Sequence, residues 1–338
     1  MASRSKQQSL PGLENDTPPK RRKAAAAKAP AAAELPAVAT GHAAESSAKA
    51  RAATDGEGSC PPQSPLVDIK GWNVYVVDAY SLIFQVFHAL PEMSSPRGEQ
   101  VGAVFGFVRD MLYLIEDKKP NALICAFDPP GKTFRDEIFD AYKAERSEMP
   151  VELVGQIPKI ERVLQALGIP ILMRQGYEAD DVLATLARIC DEHGANCFIV
   201  TGDKDCRQLI TDRVAVYNIR KNQIFDAAAL REDWGVSPDQ VVDFQALVGD
   251  KVDNVPGVPG IGPKTAQQLL ETYSTLDNLL DHAADVTGAK GKKLAECRAQ
   301  ALLSRQLVRL DPQVPITPDW DASRVGGLDQ ETLVELFA

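Results

Sequence analysis

The chain has 338 residues, 44% of them hydrophobic, and a formal net charge of −10 at pH 7. That is enough for one large domain or two medium ones whose cores need no staples. No apolar run approaches the roughly 20 residues of a membrane span, and the polar N-terminus lacks the apolar core of a signal peptide, so a soluble cytosolic protein is expected.

The six cysteines (Cys60, Cys125, Cys190, Cys197, Cys206, Cys297) include no C-x-x-C pair, which suits buried reduced thiols. Residues 1–65 carry nine Lys/Arg against six Asp/Glu, and the remainder carries 28 against 41. The body is therefore acidic, which argues against coating nucleic acid through bulk charge. It leaves room for acids gathered in one place around metal.

In chain order, residues 1–65 are rich in Ala, Pro, Ser and Lys. Such a composition cannot bury enough apolar surface to order itself, so a disordered basic tail is expected, PPKRRK (18–23) included. NVYVVD (73–78), ALICAFD (122–128), IPILM (169–173), NCFIVTGD (196–203) and VAVYNI (214–219) read as strands. Between them, 101–117, 151–168 and 179–194 have helical periodicity, the last two closing on Gly. Apolar strands alternating with helices predict an α/β domain with a mainly parallel central sheet over 66–235. Beyond about 236 the pattern turns helical, predicting a smaller lobe over 236–338.

Asp78, Asp128 and Asp203 end three of the apolar strands. In an open parallel sheet the ligand crevice lies beyond those ends. QGYEADD (175–181) adds Glu178, Asp180 and Asp181 at a helix start, TGDKD adds Asp205, and GDKVDN (249–254) adds Asp250 and Asp253. Any one of these could be a helix cap. Together, with no matching basic cluster, they require neutralisation by cations. No His/Cys set has zinc spacing, and an all-oxygen set favours Mg²⁺ or Mn²⁺. Two ions in one cleft is the economical reading, an arrangement suited to phosphodiester hydrolysis.

NVPGVPGIGPKTAQQLL (254–270) combines Gly257, Gly260 and Gly262 with Lys264 and Thr265 at a helix start. Exposed backbone amides and a Lys there make an anion site that grips duplex backbone without reading bases. The P-loop spacing is absent. TFRDEIFDAYKAERSEMP (133–150), directly after Asp128, carries Arg135, Lys143 and Arg146, cations that could contact a scissile phosphate or form a solvated charged helix.

VVDAYSLIF, AFDPPGKTFRDEIFDAYKAER, GYEADDVLATLA, VTGDKDCRQLI and LVGDKVDNVPGVPGIGPKTA, in this order over about 72–320, resemble the 5′-nuclease (flap endonuclease) family. More narrowly, they resemble the 5′→3′ exonuclease domain that begins bacterial DNA polymerase I. The resemblance implies a 5′-nuclease (PIN-like) fold with a helix–two-turn–helix DNA-binding lobe and a helical arch over about 84–150. It implies metal ligands at Asp78, Asp128, Glu178, Asp180, Asp181, Asp203, Asp205, Asp250 and Asp253, holding two Mg²⁺ or Mn²⁺. It puts Lys143, Arg146 and Arg135 on the scissile phosphate. It places K⁺ and the duplex at the loop of Gly257, Gly260, Gly262, Lys264 and Thr265.

Implied partners are DNA with a 5′ flap, nick or 5′ end, RNA–DNA hybrids, and a fused or cooperating polymerase. A nucleoid-associated monomer in the cytoplasm is implied. Phe84-Gln85 departs from the usual Tyr-Arg of relatives. The rivals are a PIN-type ribonuclease, disfavoured by the GIGPKT lobe, and a catalytically silent flap-binding clamp, disfavoured by the full acid set.

Overall fold

The computed structural model describes residues 67–337; the expected tail and Cys60 lie outside them. The β1 strand Asn73–Asp78 sits at the centre of a six-stranded sheet of order β3-β2-β1-β4-β5-β6. Its neighbours are parallel: β2 (Ala122–Ala126) on one side and β4 (Asn196–Val200) on the other. Parallel β3 (Ile171–Leu172) and β5 (Val214–Asn218) flank these. An edge strand that the sequence did not betray, β6 (Gln223–Phe225), pairs antiparallel with β5. Three residues of which two are exposed give no apolar run to read.

The continuous apolar character of β1 follows from cover on both faces. Tyr75 and Val77 pack into a core with α1 (Ala79–Ala89) and α2 (Gly102–Tyr113). Val74 and Val76 pack into a second core on the other face. After β2, α3 (Phe134–Ile138) and a run of turns lead to α4 (Val151–Val154) and α5 (Ile157–Ala166). The second core is closed by α6 (Ala179–Glu192).

The expected arch over 84–150 does not hold as a range. It contains β2, whose five residues are all buried, and α2, whose apolar face is core. Those elements belong to the α/β core, so the part of the range that lies outside it is the loop over 90–101 and the stretch 129–150. The expected helix over 151–168 is two, broken at Gly155.

The helical lobe comprises α7 (Ala227–Trp234), α8 (Val241–Val248), α9 (Pro263–Tyr273), α10 (Leu276–Asp281), α11 (Ala289–Glu296) and α12 (Arg298–Val308) around its own core. The chain then returns to the sheet. Leu310 and Val314 enter the second core, Leu123 N–H donates to Ser323 O at 3.0 Å, and α13 (Gln330–Phe337) lays Leu333 and Leu336 against the first core. Residues 309–337 thus complete the α/β domain rather than the lobe. All five described cysteines are free, and among the described residues no helix is long and apolar enough to cross a membrane.

Gly257 holds the lobe's loop together. Its φ is +61°, and a Cβ there would stand 2.6 Å from Gly249 N. Left-handed backbone costs a side-chain-bearing residue about 1–2 kcal/mol, and the contact with main chain adds to it. Gly257→Ala should therefore lower unfolding free energy by about 2 kcal/mol or more, read by denaturant titration; an unchanged midpoint would contradict this packing.

Candidate active site

The strand order reverses between β1 and β4, and a ligand crevice opens at such a switch point beyond the strands' carboxyl ends. Asp78 ends β1 and caps α1, its Oδ1 accepting from Ser81 N–H at 3.1 Å. Asp203 follows β4. Asp128 follows β2, and its Oδ1 accepts from Ala179 N–H at 2.7 Å, which ties it to the start of α6. A cleft of about 560 Å³ opens there, walled by Asp78, Asp128, Asp180, Asp203, Asp205, Asp250 and Asp253, with Lys143 and Arg146 among its other lining side chains. Seven of the nine expected acids therefore share one cleft.

Two of the nine do not, and their separation corrects the expected geometry. Asp181 is completely buried. Its two oxygens receive a bidentate pair from Arg135 at 2.7 Å each, and they also accept from the amides of Glu178 (3.1 Å) and Asp311 (2.8 Å). Glu178, the N-cap of α6, lines an adjoining pocket with Asp128, Lys143 and Arg146 rather than the cleft itself. Its carboxylate takes Lys143 Nζ at 2.6 Å, Tyr142 Oη at 3.2 Å and Arg135 Nη1 at 3.2 Å.

Asp180 is the α6 acid that lines the cleft. Helical position alone gave no warning, because Asp181's partner lies 46 residues away.

Arg135 is likewise not placed to touch a phosphate. It is fully buried, and its remaining donors go to the carbonyls of Leu307 (2.9 Å) and Arg309 (2.8 Å). It fastens α6 to the segment leaving α12. Gly257 is also structural: its N–H donates to Ser304 Oγ at 3.0 Å and its carbonyl accepts from Gln300 Nε2 at 2.8 Å. The turn it begins does present exposed Gly260, Gly262 and Lys264. Gly262 is the N-cap of α9, and Thr265 Oγ1 accepts from Lys290 Nζ at 3.2 Å.

The charge of the cleft is unbalanced. Burial, then the neighbouring Asp128 and Asp203 charges, push Asp78 up to about 6 against the opposing hydrogen bonds from Thr201 and Ser81. Burial and Asp203 push Asp205 up to about 7. Asp180 is raised by burial and by Asp78 and Asp203. Burial also opposes ionisation of Asp250, but the Lys204 ammonium and the Val252 amide outweigh it and hold that carboxyl low. Carboxylates disfavoured by desolvation and by one another are a donor set that divalent cations fit. Among the described residues no three acids converge as a ready-made cage; they line the walls instead.

Several working side chains escaped the sequence reading. Lys204, between Asp203 and Asp205, lines the cleft and pairs with Asp250. Thr201 Oγ1 donates to Asp78 Oδ2 at 2.7 Å, and Gln245 donates to Asp205. The alternation Asp-Lys-Asp at the end of β4 was the one available signal for Lys204. Gln85 also lines the cleft, its amide on Ser81 Oγ at 3.1 Å. Phe84 lies between Tyr80 (ring centroids 6.5 Å apart) and His88 (6.3 Å).

Residues 73–235 match the family model described as 5′-3′ exonuclease, N-terminal resolvase-like domain. Residues 236–331 match that of the 5′-3′ exonuclease C-terminal SAM fold. A 5′-3′ exonuclease of Aquifex aeolicus is 41% identical over 207 residues, covering 61% of this chain and 72% of the relative. The chain belongs to the 5′-3′ exonuclease family.

DNA polymerase I of Rhizobium leguminosarum is 42% identical over 262 residues, covering 75% of this chain and 26% of the polymerase. The chain spans 26–30% of the length of that polymerase and those of Bacillus subtilis and Pseudomonas aeruginosa. A solved T5 flap endonuclease in a pseudo-enzyme-product complex with DNA and metal ions shares the fold at a TM-score of 0.60 and 20% identity, over 78% of this chain and 96% of that one.

The Arg135–Asp181 pair generates a prediction. Removing one member of a buried, hydrogen-bonded pair leaves an uncompensated charge at a cost of about 3–5 kcal/mol. Arg135→Met should lower the unfolding free energy by that amount in denaturant titration. A phosphate-steering role would instead leave stability unchanged.

Proposed function

We propose that this 5′-3′ exonuclease domain is a metal-dependent, structure-specific 5′ nuclease that cuts DNA at a 5′ flap, nick or 5′ duplex end. One observation carries the reading: seven carboxylates share the switch-point cleft with three cations, Lys143, Arg146 and Lys204. Two Mg²⁺ or Mn²⁺ would be held by acids among Asp78, Asp128, Asp180, Asp203, Asp205, Asp250 and Asp253, supplying Lewis acidity and an acidified water to phosphodiester hydrolysis.

The chain's own side chains have distinct parts. Thr201 and Gln245 orient the Asp78 and Asp205 carboxylates through hydrogen bonds. Lys143 and Arg146, at the base of the 129–150 segment, present cationic donors to the scissile phosphate and offset its developing charge. Lys143 pairs with Glu178, and Arg146 with Asp253 at 2.6 Å. These acids hold the two cations extended along the cleft wall.

The duplex would lie on the loop from Gly260 to Thr265, where exposed backbone and Lys264 meet phosphates without reading bases. K⁺ would sit among that loop's carbonyls. RNA–DNA hybrids are candidate substrates, since the contacts are to backbone. A monomer acting in the cytoplasm beside the nucleoid, fused to or cooperating with a polymerase, fits this task.

Purified protein is incubated with a 5′-labelled flap duplex, with Mg²⁺ or with EDTA. The reading requires Mg²⁺-dependent cleavage near the junction; binding without cleavage would identify a silent clamp. Asp203→Ala should abolish cleavage while largely sparing flap affinity in gel shift. Lys264→Ala should weaken affinity about equally across unrelated sequences, as loss of a phosphate contact does; a sequence-selective loss would contradict the backbone grip.

A further inference from the structure

Two residues other than glycine in the cleft region have left-handed backbone, and they lie on two segments that hydrogen-bond to each other. Lys143 has φ +53° and Asn254 has φ +57°. For a lysine this conformation is disfavoured and persists only where its surroundings impose it. The surroundings here are the 250–255 turn of the helical lobe. Lys143 N–H donates to Asp253 O at 3.1 Å, and the Asn254 side-chain amide donates to Ala141 O at 2.8 Å. Tyr142, between these two contacts, packs in a small apolar cluster with Val255, Leu307 and Val308 of the lobe.

The turn that supplies these contacts is itself closed. Asp250 N–H donates to Val255 O (2.9 Å) and Val255 N–H to Asp250 O (2.7 Å). Asparagine is among the few side chains that tolerate left-handed backbone. At 254 it therefore shapes the turn that carries two cleft acids, Asp250 and Asp253, and also reaches across to the segment bearing the catalytic cations.

We propose that Asn254 is a positioning residue that latches the base of the 129–150 segment to the duplex-gripping lobe and so aims Lys143 into the cleft. The proposal rests on the reading that Lys143 meets the scissile phosphate. The latch couples the two lobes. The loop that follows Asn254 holds duplex, and the residue it reaches is two positions before the cation that acts on the strand to be cut. Asn254 touches no substrate; it acts through Lys143.

The test uses Asn254→Gly, which permits the same backbone but has no amide to donate. Single-turnover cleavage of the flap duplex is measured for the wild type, Asn254→Gly, Lys143→Ala and the double variant. Asn254→Gly should cut about 10- to 100-fold more slowly, the scale of a small misplacement of a catalytic group, with unchanged KM and half-saturating Mg²⁺. In the Lys143→Ala background the same change should cost nothing further, because contributions through a shared partner are not additive. Equal losses in both backgrounds, a raised Mg²⁺ requirement, or wild-type rates would overturn the proposal.

Hydrogen exchange decides the latch independently of activity. In Asn254→Gly the amides of 139–146 should exchange faster while those of α6 keep their protection; unchanged protection at 139–146 refutes the latch. A wild type that binds flap DNA without cutting it would sink the nuclease reading and leave this exchange result to judge the latch alone. If the glycine variant proves too unstable to purify, Asn254→Asp keeps the shape without the donor and, because it adds a charge beside the cleft acids, is judged by the hydrogen exchange of 139–146, where unchanged protection again refutes the latch.

Discussion

A fold that aims acids at one edge of its sheet must neutralise them without filling the cleft they form. The bidentate bond from Arg135 to Asp181 does this from behind. It takes one carboxylate of the Glu178–Asp181 group out of the cleft and shares a second. It also clamps the start of α6 to the carbonyls of Leu307 and Arg309, where the chain returns from the lobe to the sheet. Replacing a buried ion pair by well-packed apolar residues is often neutral for stability. The value of the guanidinium is geometric: with it in place, Asp180 alone of the α6 acids points into the cleft.

The remaining acids stay in tension. Asp78 and Asp205 are pushed up by burial and by one another's neighbours, while Thr201, Gln245 and Lys204 each satisfy one carboxylate oxygen. Such hydrogen bonds orient the carboxylates they touch, as outer-shell partners of metal ligands do. The helical lobe contributes two of the acids, the exposed turn around Gly260 and the Asn254 contact from one continuous stretch, 249–265. On the proposed reading, metal chemistry, duplex grip and the aim of Lys143 would thus be joined by a few residues of chain.

Much of this could be read in the sequence because the physics was local. A strand buried on both faces writes itself as an apolar run, and an Asp closing such a run sits at the ligand edge; Asp78, Asp128 and Asp203 follow from that. The loop around Gly260 was legible because turn chemistry uses few residue types. What failed was non-local. Asp180 and Asp181 differ by one helical step, and only the distant Arg135 decides which faces the cleft. Arg135 reads as an exposed cation in a charged run. The return of 309–337 to the sheet, and the true extent of the arch, depend on tertiary packing that periodicity cannot encode.

On the proposed reading the acids of α6 divide, Asp180 to hold metal and Asp181 to hold the fold. Equilibrium Mn²⁺ binding, followed by the electron paramagnetic resonance of free Mn²⁺, tests it with Asp180→Asn and Asp181→Asn side by side. The account predicts that Asp180→Asn loses Mn²⁺ affinity and keeps its melting temperature, while Asp181→Asn keeps affinity when folded and melts lower. Lost affinity in Asp181→Asn with normal stability, and retained affinity in Asp180→Asn, would contradict it.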